Sequence, residues 1–272
     1  MIDSGDGGAI SVMGFNVNTT IDSCYIHDCS GYDGYGSIIL YEHNQFTNIM
    51  NCYFSYNYAF FEGGAIGIKK GNYVVNILSN IFESNTCYRS GGAISITENN
   101  EQITIDNCNF LANTANFEGA AIFISDNNLN VTINNSVFSQ NSVSEGFGGA
   151  LLLKNSNLNI FINNCSFVLN NARMFGGAFY SDGNSNIIIS NSSFSNNTAQ
   201  LNGGALSIFT ENSFKIVRSQ FNGNTANEDG AAISSTSSTI FVEDSKFFEN
   251  KALNLGKSIQ KKIILILLNF FF

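Results

Sequence analysis

Apolar residues along this chain fall in short alternating runs, and they never sustain the spacing of a helix. Ile103-Thr104-Ile105, Val131-Thr132-Ile133, Ile160-Phe161-Ile162, Ile187-Ile188-Ile189 and Ile240-Phe241-Val242 are triplets rich in β-branched residues and of strand length, bounded by polar or glycine turns. From Ile103 to Ser125 the chain reads as three strands: the triplet, a run carrying Phe110, and a run carrying Ala121 and Ile122. No segment keeps apolar residues at i, i+3, i+4 and i+7, and leucine-rich-repeat spacing is absent, which disfavours a helical solenoid or a horseshoe.

The strands recur with a period. Gly-Gly-Ala-Ile or a close variant starts at Gly7, Gly63, Gly91, Gly119, Gly148, Gly176, Gly203 and Gly230, with worn copies at Tyr35 and Gly256, so that successive starts lie 26 to 29 residues apart. A second motif, Phe-x-x-Asn, runs in phase with it at Phe54/Asn57, Phe82/Asn85, Phe110/Asn113, Phe138/Asn141, Phe167/Asn170, Phe194/Asn197, Phe221/Asn224 and Phe247/Asn250. Two phase-locked motifs over about ten periods are the signature of a solenoid.

Coils of equal length built from short strands let each strand pair with its equivalent in the next coil, which is a parallel β-helix. The expected architecture is all-β: nine to ten coils of about 28 residues, three short strands per coil, in a rod roughly 45 Å long. Like residues then stack on like at about 4.8 Å, giving an aromatic ladder from the Phe column and an amide ladder from the Asn column. The glycine pairs, Gly63-Gly64, Gly91-Gly92, Gly148-Gly149, Gly176-Gly177 and Gly203-Gly204 among them, suit a corner that needs positive φ or a close backbone approach. The alanine that follows, Ala65 for example, is expected to face a space with little room. One repeat domain is expected over residues 1–259, with an apolar tail at 260–272.

Two residues before each Phe runs a further column: Cys24, Cys52, Asn80, Cys108, Ser136, Cys165, Ser192, Ser219 and Ser245. It accounts for four of the six cysteines as small residues interchangeable with Ser, and Cys29 stands where later coils have Asn. The spacings contain no paired C-x-x-C ligand set, so a metal centre is not expected, although neighbours such as Cys24 and Cys52 are close enough in register to pair.

Composition narrows the function. Of the 272 residues 44% are hydrophobic and 12% charged, the net charge is −9, and proline and tryptophan are absent. The 12 basic residues are dispersed along the chain, which argues against a nucleic-acid partner. Lack of proline suits a body that is nearly all ladder. Sequons at Asn18, Asn130, Asn134, Asn164, Asn191 and Asn196 are compatible with a secretory route. The first repeat opens six residues after Met1 with no secretion signal before it, so a fragment of a longer protein is expected.

Gly-Gly-Ala-(Ile/Leu/Val) with Phe-x-x-Asn, many times and in phase over residues 7–259, resembles the chlamydial polymorphic outer membrane proteins, and similar repeats occur in protist surface proteins. The resemblance implies a right-handed parallel β-helix displayed at the cell surface, the outer membrane or outside the cell. It further implies action in adhesion or as a display rod, with a host or neighbouring-cell protein or glycan as partner and no cofactor. The general right-handedness of parallel crossovers agrees. It transfers no catalytic residues. Phe and Asn columns are then scaffold, and the turns at 97–102, 125–130 and 181–186 are the expected binding elements. The bacterial members carry a C-terminal β-barrel that exports the passenger; none is read in this sequence, so membrane attachment is expected only through parts missing from it.

The rival function is a carbohydrate-active enzyme, a polysaccharide lyase or glycoside hydrolase, on the same fold. Such enzymes gather carboxylates on neighbouring coils as acid, base or calcium ligands. Glu98, Asp126, Asp182 and Glu211 follow their Gly-Gly-Ala motifs by similar intervals and, aligned on one edge, would form a row of carboxylates about 5 Å apart. Turns also favour these residues for local hydrogen bonding. Lys154, Arg173 and Arg218 are not gathered at one level, His27 and His43 are confined to the first two coils, and no coil carries a long insertion. A non-enzymatic rod is therefore expected.

Overall fold

A computed structural model describes residues 7–31, 34–210 and 213–253 of the chain. Glu211, the worn motif copy at Gly256 and the 260–272 tail lie outside the described residues. Those residues wind through 36 short strands, which form four parallel sheets of nine strands each. In one central coil the strands are Ile94–Thr97, Glu101–Asp106, Asn109–Leu111 and Thr114–Ala115, one in each of sheets 1 to 4 in that order. Register is strict. Ile94 pairs with Ile66 and Ile122 in sheet 1, Ile105 with Ile77 and Ile133 in sheet 2, and Phe110 with Phe82 and Phe138 in sheet 3. Among the described residues no helix is long and apolar enough to cross a membrane.

Four strands per coil replace the three read from sequence. The run through Phe110 does not continue past the corner: Ala112 takes φ +52°, Asn113 turns inward, and a separate strand of two residues, Thr114–Ala115, follows. A two-residue strand shows no alternation, so its pattern is that of a polar turn.

The interior is a stack of matched rows. Phe54, Phe82, Phe110, Phe138, Phe167, Phe194 and Phe221 are at most 1% exposed. Their rings stack with successive centroids 4.6–4.9 Å apart and planes within 7°. That spacing is the strand separation, so the sheet imposes the face-to-face geometry that isolated ring pairs disfavour. Ala65, Ala93, Ala121, Ala150, Ala178 and Ala205 are fully buried.

The two motif glycines answer different demands. Gly63 has φ +66°, the left-handed region that costs a side chain most. A Cβ on Gly64 would lie 2.1 Å from the Gly92 carbonyl oxygen, because the next coil's backbone passes directly over it. The pairs Gly91-Gly92, Gly148-Gly149, Gly176-Gly177 and Gly203-Gly204 divide the same two tasks.

Corners between sheets follow one scheme. A residue with positive φ, such as Asn107 or Ala112, is followed by a buried polar side chain, Cys108 or Asn113, that holds the bend. In the Phe-x-x-Asn column, Asn113 Nδ2 donates to Phe82 O of the previous coil and to Asn141 Oδ1 of the next, both at 3.0 Å. Its own Oδ1 accepts from the Asn85 backbone N–H and Nδ2, again at 3.0 Å. Non-glycine residues accept left-handed φ here because the amide that follows them is saturated.

The column does more than the side-chain stacking read from sequence, because each amide also ties two backbones together. Asn57 Nδ2 donates to Ile26 O at 3.0 Å as well as to Asn85 Oδ1 at 2.8 Å. Asn170 Nδ2 donates to Phe138 O at 2.9 Å and to Asn197 Oδ1 at 3.0 Å. Asn197 Nδ2 donates to Phe167 O at 3.0 Å and to Asn224 Oδ1 at 2.9 Å, and Asn224 Nδ2 donates to Phe194 O at 2.9 Å and to Asn250 Oδ1 at 2.8 Å.

A second amide ladder, not singled out from the sequence, lies at the corner between sheets 1 and 2: Asn44, Asn72, Asn100, Asn128, Asn157 and Asn184, all fully buried. Asn100 Nδ2 donates to Asn128 Oδ1 at 2.9 Å and to Thr97 O at 2.7 Å. The Cys/Ser column is a third ladder, in which the Cys108 N–H donates to Ser136 Oγ at 3.1 Å. All six cysteines are free; the Cys24 N–H points at Cys52 Sγ, 3.4 Å away.

Candidate functional site

Most of the residues that recur most regularly are withdrawn from any ligand. Asn57, Asn85, Asn113, Asn141, Asn170, Asn197 and Asn224 are fully buried, as are the Phe side chains three positions before them. Their amides face carbonyls and one another, so they build the wall behind a site and contribute no group to it.

The carboxylates expected to share an edge do not form one row. Sheet 1 pairs Thr97 with Ser125, Ser125 with Lys154, and Lys154 with Asp182. Asp182 therefore stands in the column of Lys154, whereas Glu98 and Asp126 occupy the next position along the chain, which Asn155 continues. Glu211 is outside the described residues. Each described member is engaged locally. Glu98 pairs with Lys69 at 3.2 Å, Asp126 accepts from Ser125 Oγ at 2.7 Å and from Asn155 Nδ2 at 2.9 Å, and Asp182 accepts from the Thr210 hydroxyl. Among the described residues no three His, Cys, Asp or Glu side chains are grouped to hold a metal ion.

The turns at 97–102, 125–130 and 181–186 are partly scaffold, since each contains a fully buried member of the second amide ladder, Asn100, Asn128 or Asn184. What they expose are the flanking positions: Asn99 and Gln102, Asn127, and Ser185 and Asn186. The signal for this ladder was the repetition of Asn44, Asn72, Asn100 and Asn128 at 28-residue intervals, hidden in an Asn-rich background.

A concave site lies beside sheet 1. The stretch preceding each Gly-Gly crosses the outer face of that sheet, and bridges link Tyr35, Glu62, Ser90, Glu118 and Phe147 in a row across five coils. Outward side chains of the sheet are consequently covered: Phe123, Leu152 and Tyr180 form a satellite core against Phe147 and Phe175, and Tyr35, Ile39 and Tyr41 form another. Between this row and the Ser125/Lys154 column opens a cleft of about 170 Å³, lined by Phe61, Glu62, Arg89, Ser90, Glu118 and Lys154, with Phe123, Ser125, Asp126 and Asn155 completing the wall.

One ion pair, Lys154 with Glu118, anchors its wall. Lys154 Nζ lies 2.7 Å from both Glu118 carboxylate oxygens and 4.9 Å from the centre of the Phe123 ring, and Ser90 Oγ donates to Glu118 Oε2 at 3.1 Å. The Thr97 hydroxyl reaches Glu62 Oε2 at 3.4 Å. Burial pushes the Glu62 carboxyl above its ordinary range against the opposing pull of Lys69. Burial also works against the charge on Lys69, but the Tyr35 hydroxyl, Glu62 and Glu98 outweigh it and hold the ammonium above its usual range. Arg89 is exposed and forms no ion pair among the described residues. Sequence reasoning passed over Glu62, Arg89 and Glu118 because only the coil stacking brings residues 28 apart into one wall.

The geometry defines a parallel β-solenoid with a charged cleft on one flank. Residues 2–167 match the family described as a right handed beta helix region, and the chain belongs to that family. Residues 191–209 and 218–236 match the repeat of the Chlamydia polymorphic membrane proteins. No curated protein matches the chain.

Proposed function

We propose that the chain is the binding rod of a secreted or surface-displayed protein, acting in adhesion or structural display through protein or glycan partners and without turning them over. The observation that carries this is the match of two coils to the polymorphic membrane protein repeat, in a solenoid whose period varies by only three residues. The length changes fall at Ser144–Gly146, near Gly183 and between Ser235 and Thr239, and build no long loop over any coil. Exposure of the sequon residues Asn18, Asn164, Asn191 and Asn196 accords with a secreted or surface location.

One observation favours the second function, a polysaccharide-cleaving enzyme. Glu62 is a part-buried carboxyl held toward its protonated form within the cleft, with Glu118 two coils away, a pairing of environments that acid–base catalysis uses.

A polysaccharide-degradation screen beside a glycan and cell-binding array separates the two. The rod is expected to bind without releasing products, and to keep binding when Glu98→Gln and Asp182→Asn are combined. New reducing ends or unsaturated sugars, lost on Glu62→Gln, would establish the enzyme instead.

A further inference from the structure

Four exposed aromatic side chains sit at the mouth of the cleft. Phe60, Phe61, Tyr88 and Phe117 are 36–43% exposed, a costly display for a rod that buries its aromatic ladder. They are continuous with one another: Phe60 stacks on Tyr88 with centroids 4.8 Å apart and planes at 7°, and meets Phe61 edge-on at 4.9 Å, while Tyr88 meets Phe117 edge-on at 6.2 Å. Phe61 also lines the cleft. An apolar platform therefore runs directly into a polar recess.

We infer that the platform and the cleft together form a binding site for a neutral oligosaccharide. Sugar rings present C–H faces that pack on aromatic rings and hydroxyls that need planar donors and acceptors, and the site supplies both. Acceptors are the carboxylates of Glu62 and Glu118 and the Ser90 hydroxyl oxygen, whose proton is already given to Glu118; the donor is Arg89, whose guanidinium no described residue pairs. The charge balance selects the class. Glu118 and Asp126 balance Arg89 and Lys154, Glu62 is held toward its neutral form, and Lys154 is already held by Glu118, so the cleft carries no net positive charge. Carboxylated and sulfated chains find no net attraction there, and Arg89, the one cation of the cleft without an ion pair among the described residues, is too little for a phosphate ligand. Phe60 and Tyr88 occupy the same position of two neighbouring coils, 4.8 Å apart, so an extended chain laid along the rod meets both in turn while one ring enters the recess. This assignment rests on the binding-rod function and names its ligand.

The test uses the whole chain against an array of neutral and acidic oligosaccharides, followed by calorimetric titration of the best neutral ligand. Phe61→Ala and Arg89→Ala are each expected to weaken binding at least tenfold without shifting the thermal unfolding midpoint by more than about 2 °C. Tyr25→Ala, which removes a stacked aromatic pair with Tyr53 outside the cleft, is expected to leave affinity unchanged. Equal affinity in the cleft variants, or capture of acidic glycans only, would overturn the site while leaving the binding rod intact. Capture of cells through protein alone would do the same. Release of shortened products at a site that Phe61→Ala still weakens would overturn the non-enzymatic function and keep the cleft.

Discussion

The side chain that does most to hold this chain in its coil is an amide. Asn113 accepts two hydrogen bonds from Asn85 and donates one each to Phe82 O and Asn141 Oδ1, all in a site with no access to water. Each orphaned buried group costs about 1–3 kcal/mol, so Asn113→Ala is expected to lower unfolding free energy by about 3 kcal/mol or more, read from the midpoint of a urea transition. Cysteines differ by burial. Burial pushes the Cys108 and Cys165 thiols up to about 11 and about 12, and that of Cys87 to about 12, whereas Cys24 and Cys29 are partly exposed. Thiol labelling of the native chain at pH 8 is expected to modify Cys24 and Cys29 and to spare the other four until it unfolds. Glu62 gives a pH signature. Its folded carboxyl binds the proton more tightly than an unfolded one, so its contribution to stability is full below the ordinary carboxylate range and is lost as pH rises above it. Glu62→Gln removes that loss. The variant's melting temperature relative to wild type is expected to be higher at pH 7 than at pH 4.

At the scale of the strand and corner, the Phe-x-x-Asn and Gly-Gly-Ala motifs were legible because each performs one stacking task in every coil. Gly64 illustrates how strictly. Gly64→Val would drive a side chain into the Gly92 carbonyl and is expected to abolish soluble folding, whereas Gly183→Asn, at φ +66° with nothing within 4 Å, is expected to cost less than about 1 kcal/mol. Soluble yield and thermal melts of the two variants check this. The fourth strand was not legible, because Thr114–Ala115 is too short to show a period. Nor was the second amide ladder: Asn100 and Asn128 lie in turns where Asn is also the ordinary choice for local hydrogen bonding. The carboxylate edge failed for a related reason. Asp126 follows its glycine by one residue more than Asp182 does, and that single-residue offset moves the second carboxylate to another column.

Across the whole molecule, stability is distributed coil by coil, so each repeat supports only its neighbours, and the surface is free to vary where the ladders are not. The cleft and its aromatic platform draw on residues 60–62, 88–90 and 117–118 together with the outer edge of sheet 1, a combination visible only once coils are stacked. The proposed binding rod would retain its ligand, whereas an enzyme would consume it. The most direct test incubates the purified chain and its Glu62→Gln variant with a neutral polysaccharide and weighs the bound sugar by mass spectrometry. Binding function predicts that both proteins return the chain at its starting length. Shortened chains from the wild type and intact chains from the variant would contradict it and make Glu62 a catalytic acid.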